Sequence, residues 1–252
     1  MTEFSANLGF LWRELDLPDA IRAAKAAGFA AVECHWPYDT PVAAVSAALT
    51  ATGLPMLGLN TRRGNVDAGD NGLAALAGRE NEARAAIDEA LDYARAIGCG
   101  AVHVMAGFTE GPAARDVFCA NLAYACEAAH DVTILIEPLN RHDAPGYFLK
   151  TTDQAREIIS AVGADHLKLM FDCYHVGRTE GDVCTRLADL LPIVGHIQFA
   201  SVPDRGTPDH GELDYRAIFA AIQQLGWGRP LGAEYKPVGP TGENLGWMTQ
   251  RR

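Results

Sequence analysis

The chain is short of the features that mark membrane, secreted and nucleic-acid-binding proteins. No uninterrupted apolar stretch approaches the roughly 18 residues that suggest a membrane span. The opening Met1-Thr2-Glu3-Phe4-Ser5 has no basic segment followed by an apolar one, so no secretory signal is expected. The six cysteines, at 34, 99, 119, 126, 173 and 184, contain no C-x-x-C pair and no dense framework. They read as small buried hydrophobes and reduced thiols, which points to the cytoplasm. Basic residues are outnumbered, 21 against 32 acidic, for a formal charge of −11. That balance opposes a surface built for phosphate backbones. No G-x-G-x-x-G follows the first strand candidate, which weakens a dinucleotide-binding reading and the nicotinamide or flavin chemistry that goes with it.

What is present is alternation. Short apolar runs at 4–8, 30–34, 55–60, 101–105, 133–136, 167–172, 193–198 and 230–234 read as strands. Helical patterns fall between them at 16–28, 40–52, 79–97, 113–129, 152–162, 180–191 and 214–225, with a last short helix near 242–250. Thr40 is the expected cap of the second helix, with Pro41 at its first position. A long glycine-containing loop, Thr61–Gly78, reads as a functional lid or a flexible segment. Eight strand-then-helix units in 252 residues favour a single (β/α)8 TIM barrel over an open sheet, with residues 1–252 forming one domain.

The chemistry gathers at strand ends. Thr133-Ile134-Leu135-Ile136 is a strand buried on both faces that runs straight into Glu137, and Pro138 ends it. The three strands that follow finish in Asp172, Gln198 and Glu234. In a barrel, strand ends 5 to 8 are neighbours on one rim, so these four side chains converge. Carboxylates crowded at ~4 Å repel by about 4 kcal/mol per pair at an effective dielectric of 20. A divalent cation removes that cost, and all-oxygen ligands suit Mg²⁺ or Mn²⁺ better than Zn²⁺. The alternative is that one carboxylate stays protonated, or that Arg205 and Lys236 pair with them.

Such a metal would bind an α-hydroxycarbonyl and polarise it. Glu137 and Glu234, flanking the substrate, would then move a proton between adjacent carbons through an enediolate. His175, three residues past Asp172, points at the same pocket. Arg205 either pins a substrate carboxylate through its fork or makes a salt bridge. Glu212 is placed to hold Arg205 or a loop. His196 shares the inward face of Gln198, and Glu33, His35 and His103 line the opposite wall or serve the core and rim.

These residues also carry a resemblance. Ile136-Glu137-Pro138-Leu139-Asn140, Phe171-Asp172-Cys173-Tyr174-His175, His196-Ile197-Gln198 and Glu234-Tyr235-Lys236-Pro237 resemble the hydroxypyruvate isomerase family. That family includes the 2-oxo-tetronate isomerases and belongs to the xylose isomerase-like barrels. The similarity runs from Phe4-Ser5-Ala6-Asn7-Leu8 to Gly246-Trp247-Met248. It implies Glu137 and Glu234 as the proton-shuttling pair, both ligating a divalent metal with Asp172 and Gln198. His175 and Arg205 match substrate-contacting positions. The implied reactions are hydroxypyruvate to tartronate semialdehyde, or the closely similar step on a 2-oxo-tetronate. The implied partner is a small hydroxy-oxo acid or sugar, with no nucleic acid and no membrane; a homo-oligomer is left open.

One stretch departs from the family. Where it has a Pro-x-Gly-Asp-Trp loop, this chain reads Thr61-Arg62-Arg63-Gly64-Asn65-Val66, which suggests a larger or more anionic substrate. The competing readings are a metal-dependent ketose 3-epimerase or inosose dehydratase, a DNA-repair nuclease, and a non-catalytic carbohydrate-binding protein. A nuclease would want several ligating histidines and a basic surface. Intact Glu137 and Glu234 speak against a non-catalytic role.

Overall fold

A strand too short to bury its own faces must share them, and here a closed sheet does so from inside and helices from outside. In a computed structural model, which describes residues 2–248, the order is β1 (Phe4–Asn7), α1 (Leu17–Ala26), β2 (Ala31–Glu33), α2 (Val42–Thr52), β3 (Leu59–Asn60), α3 (Glu80–Ile97), β4 (Ala101–His103), α4 (Pro112–Ala128) and β5 (Thr133–Ile136). It continues with α5 (Thr152–Val162), β6 (Leu167–Asp172), α6 (Cys173–Thr179), α7 (Val183–Leu190), β7 (Val194–Phe199), α8 (Tyr215–Gln224) and β8 (Leu231–Ala233). All strands are parallel, in the order β2-β1-β8-β7-β6-β5-β4-β3. The remaining seam is zipped by a Val32–Met56 bridge, with Leu57 N donating to Val32 O at 2.8 Å and Cys34 N to Gly58 O at 3.1 Å. This is the expected (β/α)8 barrel.

Side chains alternate across each strand, and the two faces have different jobs. Outward residues such as Ile134, Ile136, Phe171, Ile197 and Phe199 belong to the main core under the helices. Phe4 and Phe199 meet edge to face at 5.5 Å there, and Trp247 closes on both. Inside the barrel, Ala101, Leu135 and Met170 form a small separate apolar cluster. Two residues further along those same strands stand His103, Glu137 and Asp172. One step of the strand period thus converts an apolar floor into a polar site.

Several boundaries differ from the sequence reading. Pro41, with ψ 130°, is itself the cap of α2 and no side chain caps it. Thr40 closes a turn with Pro37 (Thr40 N to Pro37 O, 2.8 Å) and sits one place too early to reach the helical amides. The expected helix 180–191 starts at Val183, because Gly181 and Asp182 both adopt positive φ. The segment after β6, to which the sequence reading gave no element, is a helix: Asp172 accepts from Tyr174 N at 2.8 Å and caps α6. Near the C-terminus, 3-10 turns at Thr241–Asn244 and Gly246–Met248 replace the expected last helix, whose end at 249–250 lies outside the described residues.

The Thr61–Gly78 loop is tied down rather than free. It bridges the β4–α4 loop (Gly72 to Ala106), with Ala75 N donating to Ala106 O at 2.8 Å, and Asp70 takes a bidentate pair from Arg79. All six cysteines are free; Cys34, Cys99, Cys126 and Cys173 are buried and the other two half-buried. Among the described residues no helix is long and apolar enough to cross a membrane.

Candidate active site

The carboxyl ends of β5 to β8 bring Glu137, Asp172, Gln198 and Glu234 together, all 5% exposed or less. One ligating atom from each of Glu137, Asp172, His175 and Glu234 lies within 4.8 Å of all the others. His175 is delivered by α6. Its position three residues beyond the capping Asp172 puts both side chains on the same side of that first turn. Its Nε2 lies 3.7 Å from both Glu137 Oε1 and Asp172 Oδ2.

Arg205 comes from the β7–α8 loop and adopts φ 59°, a left-handed conformation that costs a non-glycine residue about 1–3 kcal/mol. The loop holds it there through Arg205 N to Ser201 O, 2.9 Å, and Lys236 N to Arg205 O, 2.7 Å. Its guanidinium donates to Glu234 Oε2, reaches Asp172 Oδ2 at 3.8 Å and stacks over Phe10 and Tyr174. Lys236 is exposed and does not enter the site, and Glu212 meets the loop only through its backbone N–H, bonded to Val202 O.

The two glutamates are electrostatically unlike. Burial, then the charges of Glu234 and Asp172, push the Glu137 carboxyl well above the usual carboxylate range. Burial and Glu234 raise Asp172 to about 7. Burial alone would also raise Glu234, but Arg205 and the hydrogen bond from His35 outweigh it and hold this carboxylate ionised. Glu234 Oε1 further accepts from Asn7 Nδ2 at 2.9 Å and faces His35 Nε2 at 3.1 Å.

Burial and the neighbouring Arg205 drop the His175 pKa to about 3, so the ring is neutral. The hydrogen-bond network assigns its tautomer. Asn140 N donates to His175 Nδ1 at 2.9 Å, with Asn140 Nδ2 at 2.8 Å, so the proton sits on Nε2. His175 therefore presents a donor, not a lone pair, to the carboxylates. His103, buried with its pKa lowered to about 4, lies 3.6 Å from Glu137.

Glu33 organises the far side. Its Oε1 accepts from Gln198 Nε2 at 3.0 Å and from Asn7 Nδ2 at 3.1 Å, while Oε2 bonds His196 Nε2. Among the four strand-end side chains, three buried oxygens are then left without a hydrogen bond: Glu137 Oε1, Asp172 Oδ2 and Gln198 Oε1. Arg205 Nε is an unused buried donor beside them. A set of orphaned oxygens among carboxylates fits a hard divalent cation, since buried polar atoms otherwise find partners.

The structure thus brings together all six residues singled out from the sequence. Asn7, Asn140 and the linking role of Glu33 were not assigned from sequence. Asn140 had a signal, in Glu-Pro-Leu-Asn, whereas nothing local marks Asn7.

The family model for the xylose isomerase-like TIM barrel matches residues 21–251. The chain is 44% identical to a 2-oxo-tetronate isomerase of Cupriavidus necator, over 98% of each chain. It is 35% identical to a hydroxypyruvate isomerase of Escherichia coli, over the whole of both. A crystal structure from Brucella melitensis titled as an AP endonuclease of family 2 superposes with a TM-score of 0.95, at 36% identity and full coverage of both chains. By sequence and by fold, the chain belongs to the hydroxypyruvate isomerase family of xylose isomerase-like TIM-barrel enzymes.

Proposed function

We propose that the protein is an isomerase of small hydroxy-oxo acids, interconverting hydroxypyruvate and tartronate semialdehyde, or a 2-oxo-tetronate and its 3-oxo isomer. The observation that carries this is the convergence of Glu137 and Glu234 on one buried group with unpartnered oxygens. The full-length relatives are named for these two isomerisations.

Glu137, Asp172, Gln198 and Glu234 would hold a divalent metal, Mg²⁺ or Mn²⁺ by the hardness of the donors. When bound, that ion supplies Lewis acidity toward the substrate's carbonyl and hydroxyl oxygens. Glu234, kept ionised by Arg205, His35 and Asn7, accepts the proton from the substrate carbon. Glu137, on the other side of the substrate, returns a proton to the neighbouring carbon. His175 Nε2–H and Arg205 Nε–H donate to substrate oxygens and stabilise charge that develops on them. No nucleotide or flavin is required, because the isomerisation has no net oxidation or reduction: the electron pair stays within the substrate and each proton removed is replaced.

The test is proton NMR in D₂O with purified protein, hydroxypyruvate and 2-oxo-tetronates, with added metal or with EDTA. Deuterium incorporation coupled to aldehyde–ketone interconversion, abolished in Glu137→Gln and in Glu234→Gln, is the expected result. Absence of exchange on every hydroxy-oxo acid would overturn it in favour of a sugar epimerase or dehydratase. Despite the Brucella structure's title, a nuclease gains no support: the chain's charge is −11, and the histidine in the carboxylate group is a donor.

A further inference from the structure

The two arginines that distinguish the Thr61–Val66 stretch have different fates. Arg62 is consumed locally. It makes a bidentate pair with Glu89 (2.7 and 3.1 Å), lies 3.8 Å from Asp39 and stacks on Tyr38. Arg63 has no carboxylate partner among the described residues. Its guanidinium lies 3.9 Å over the ring of Trp36, which is itself anchored by Trp36 Nε1 donating to Thr61 O at 3.1 Å. A planar cation seated on an aromatic face keeps its edge N–H groups free for an anion.

Those N–H groups border a cavity of about 360 Å³, lined also by Arg13, His35, Trp36 and Thr40 and by no Asp or Glu. Arg13 likewise has no side-chain partner among the described residues. An acid-free cavity with two unpaired arginines is unusual on a chain of net charge −11. One imidazole links it to the site: His35 lines the cavity and its Nε2 lies 3.1 Å from Glu234 Oε1. Gly9 makes this wedge possible, since a Cβ there would overlap the His35 ring. Arg205, by contrast, already serves Glu234 and Asp172.

We propose that Arg63, with Arg13 beside it, forms a subsite for an anionic end of the substrate, a carboxylate or phosphate, lying beyond His35 from Glu234. The inference rests on the isomerase reading for its substrate but not for the anion site itself. Substrates with a second anionic group remote from the reacting carbons reach this subsite, whereas hydroxypyruvate and simple 2-oxo-tetronates, whose single carboxylate adjoins the reacting carbonyl, gain little from it, so Arg63 selects for that second charge.

The experiment has two arms. In the first, inorganic phosphate and succinate are titrated calorimetrically into the full-length wild type, Arg63→Gln, Arg63→Lys and Arg62→Gln. Loss of a hydrogen bond to a charged group weakens binding by roughly 10- to 100-fold. That loss is expected in Arg63→Gln, with partial rescue in Arg63→Lys and little change in Arg62→Gln; the stronger of the two anions identifies carboxylate or phosphate. In the second arm, Arg63→Gln raises KM for a 2-oxo-tetronate phosphorylated on its terminal hydroxyl with kcat preserved, and leaves the unphosphorylated 2-oxo-tetronate nearly unaffected. Equal anion affinity in wild type and Arg63→Gln overturns the subsite, as does an equal KM rise for both substrates. If no hydroxy-oxo acid is turned over but anion affinity still follows Arg63, the subsite stands and the isomerase reading falls.

Discussion

Gln198 Nε2 donates to Glu33 Oε1 at 3.0 Å across the barrel interior, joining residues 165 positions apart. Because a carboxylate only accepts, Glu33 dictates which end of the Gln198 amide faces it. The amide nitrogen also faces Glu234 Oε1 at 3.4 Å, and the amide oxygen, turned away from both carboxylates, stands buried and unpartnered. Glu33 thus points a neutral oxygen at the site without touching the substrate.

Replacing Glu33 by Gln keeps the shape and removes that dictate. Manganese affinity, read by calorimetry or electron paramagnetic resonance, should fall about 10- to 100-fold, as for other groups that orient a ligand. The circular dichroism spectrum should be unchanged. Unaltered affinity would mean that Gln198 is oriented by something else, or is no ligand.

Glu137 and Glu234 should part company in stability while both abolish exchange. Glu137→Gln removes a carboxyl crowded by Glu234 and Asp172, so the metal-free protein should melt no lower than wild type, and higher if that repulsion is substantial. Glu234→Gln strands Arg205 in the interior, and breaking one side of a buried pair costs about 3–5 kcal/mol. Chemical denaturation of the metal-free variants checks the order, and equal losses for the two would refute it.

Metal binding should be coupled to protons. Folding raises Asp172 to about 7, so across the acid side of that value the folded, metal-free protein binds more protons than the unfolded chain. That contribution to stability is present at low pH and is lost as pH rises through 7. His103 and His175, lowered to about 4 and about 3, act oppositely: their contribution is present above the unfolded histidine value and is lost as pH falls below it. A cation must displace the protons on the carboxylates. The rise in melting temperature on adding Mn²⁺ should therefore be larger at pH 8 than at pH 5. A pH-independent rise would show that these groups are not its ligands.

Gly232 leaves the room that Glu33 occupies. A Cβ there would lie 2.5 Å from Glu33 Oε1, 2.7 Å from Gln198 Cγ and 2.9 Å from His196 Nε2. Gly232→Ala should cost about 1–3 kcal/mol by overpacking and disrupt metal binding as well. Gly58→Ala, whose Cβ would meet only Ala101 O at 3.8 Å, is the control and should be nearly neutral.

How much of this was legible beforehand follows the range of the interactions involved. The barrel was legible because strand and helix periods repeat locally, eight times over. Glu137, Asp172, Gln198 and Glu234 were legible because each ends an apolar run that the alternation sets on one rim. The short helix α6 was not, since an aspartate ending a strand gives no local sign that it also caps a helix. Arg62 and Arg63 looked equivalent as neighbours in sequence; Glu89, 27 residues from Arg62, and the different rings on which they stack separate them.

The sequence by itself determined the architecture and which oxygen-bearing side chains gather at its carboxyl rim, because both depend on patterns within a few residues. The tertiary structure alone decided how they divide the work. Arg205 holds Glu234 low while burial and neighbouring carboxylates raise Glu137, Asn140 sets the proton of His175, and Glu33 turns the amide of Gln198. Protonation and orientation are fixed by whichever charges and donors stand within a few ångströms in space, and here those come from different strand ends, 29 to 165 residues apart in sequence.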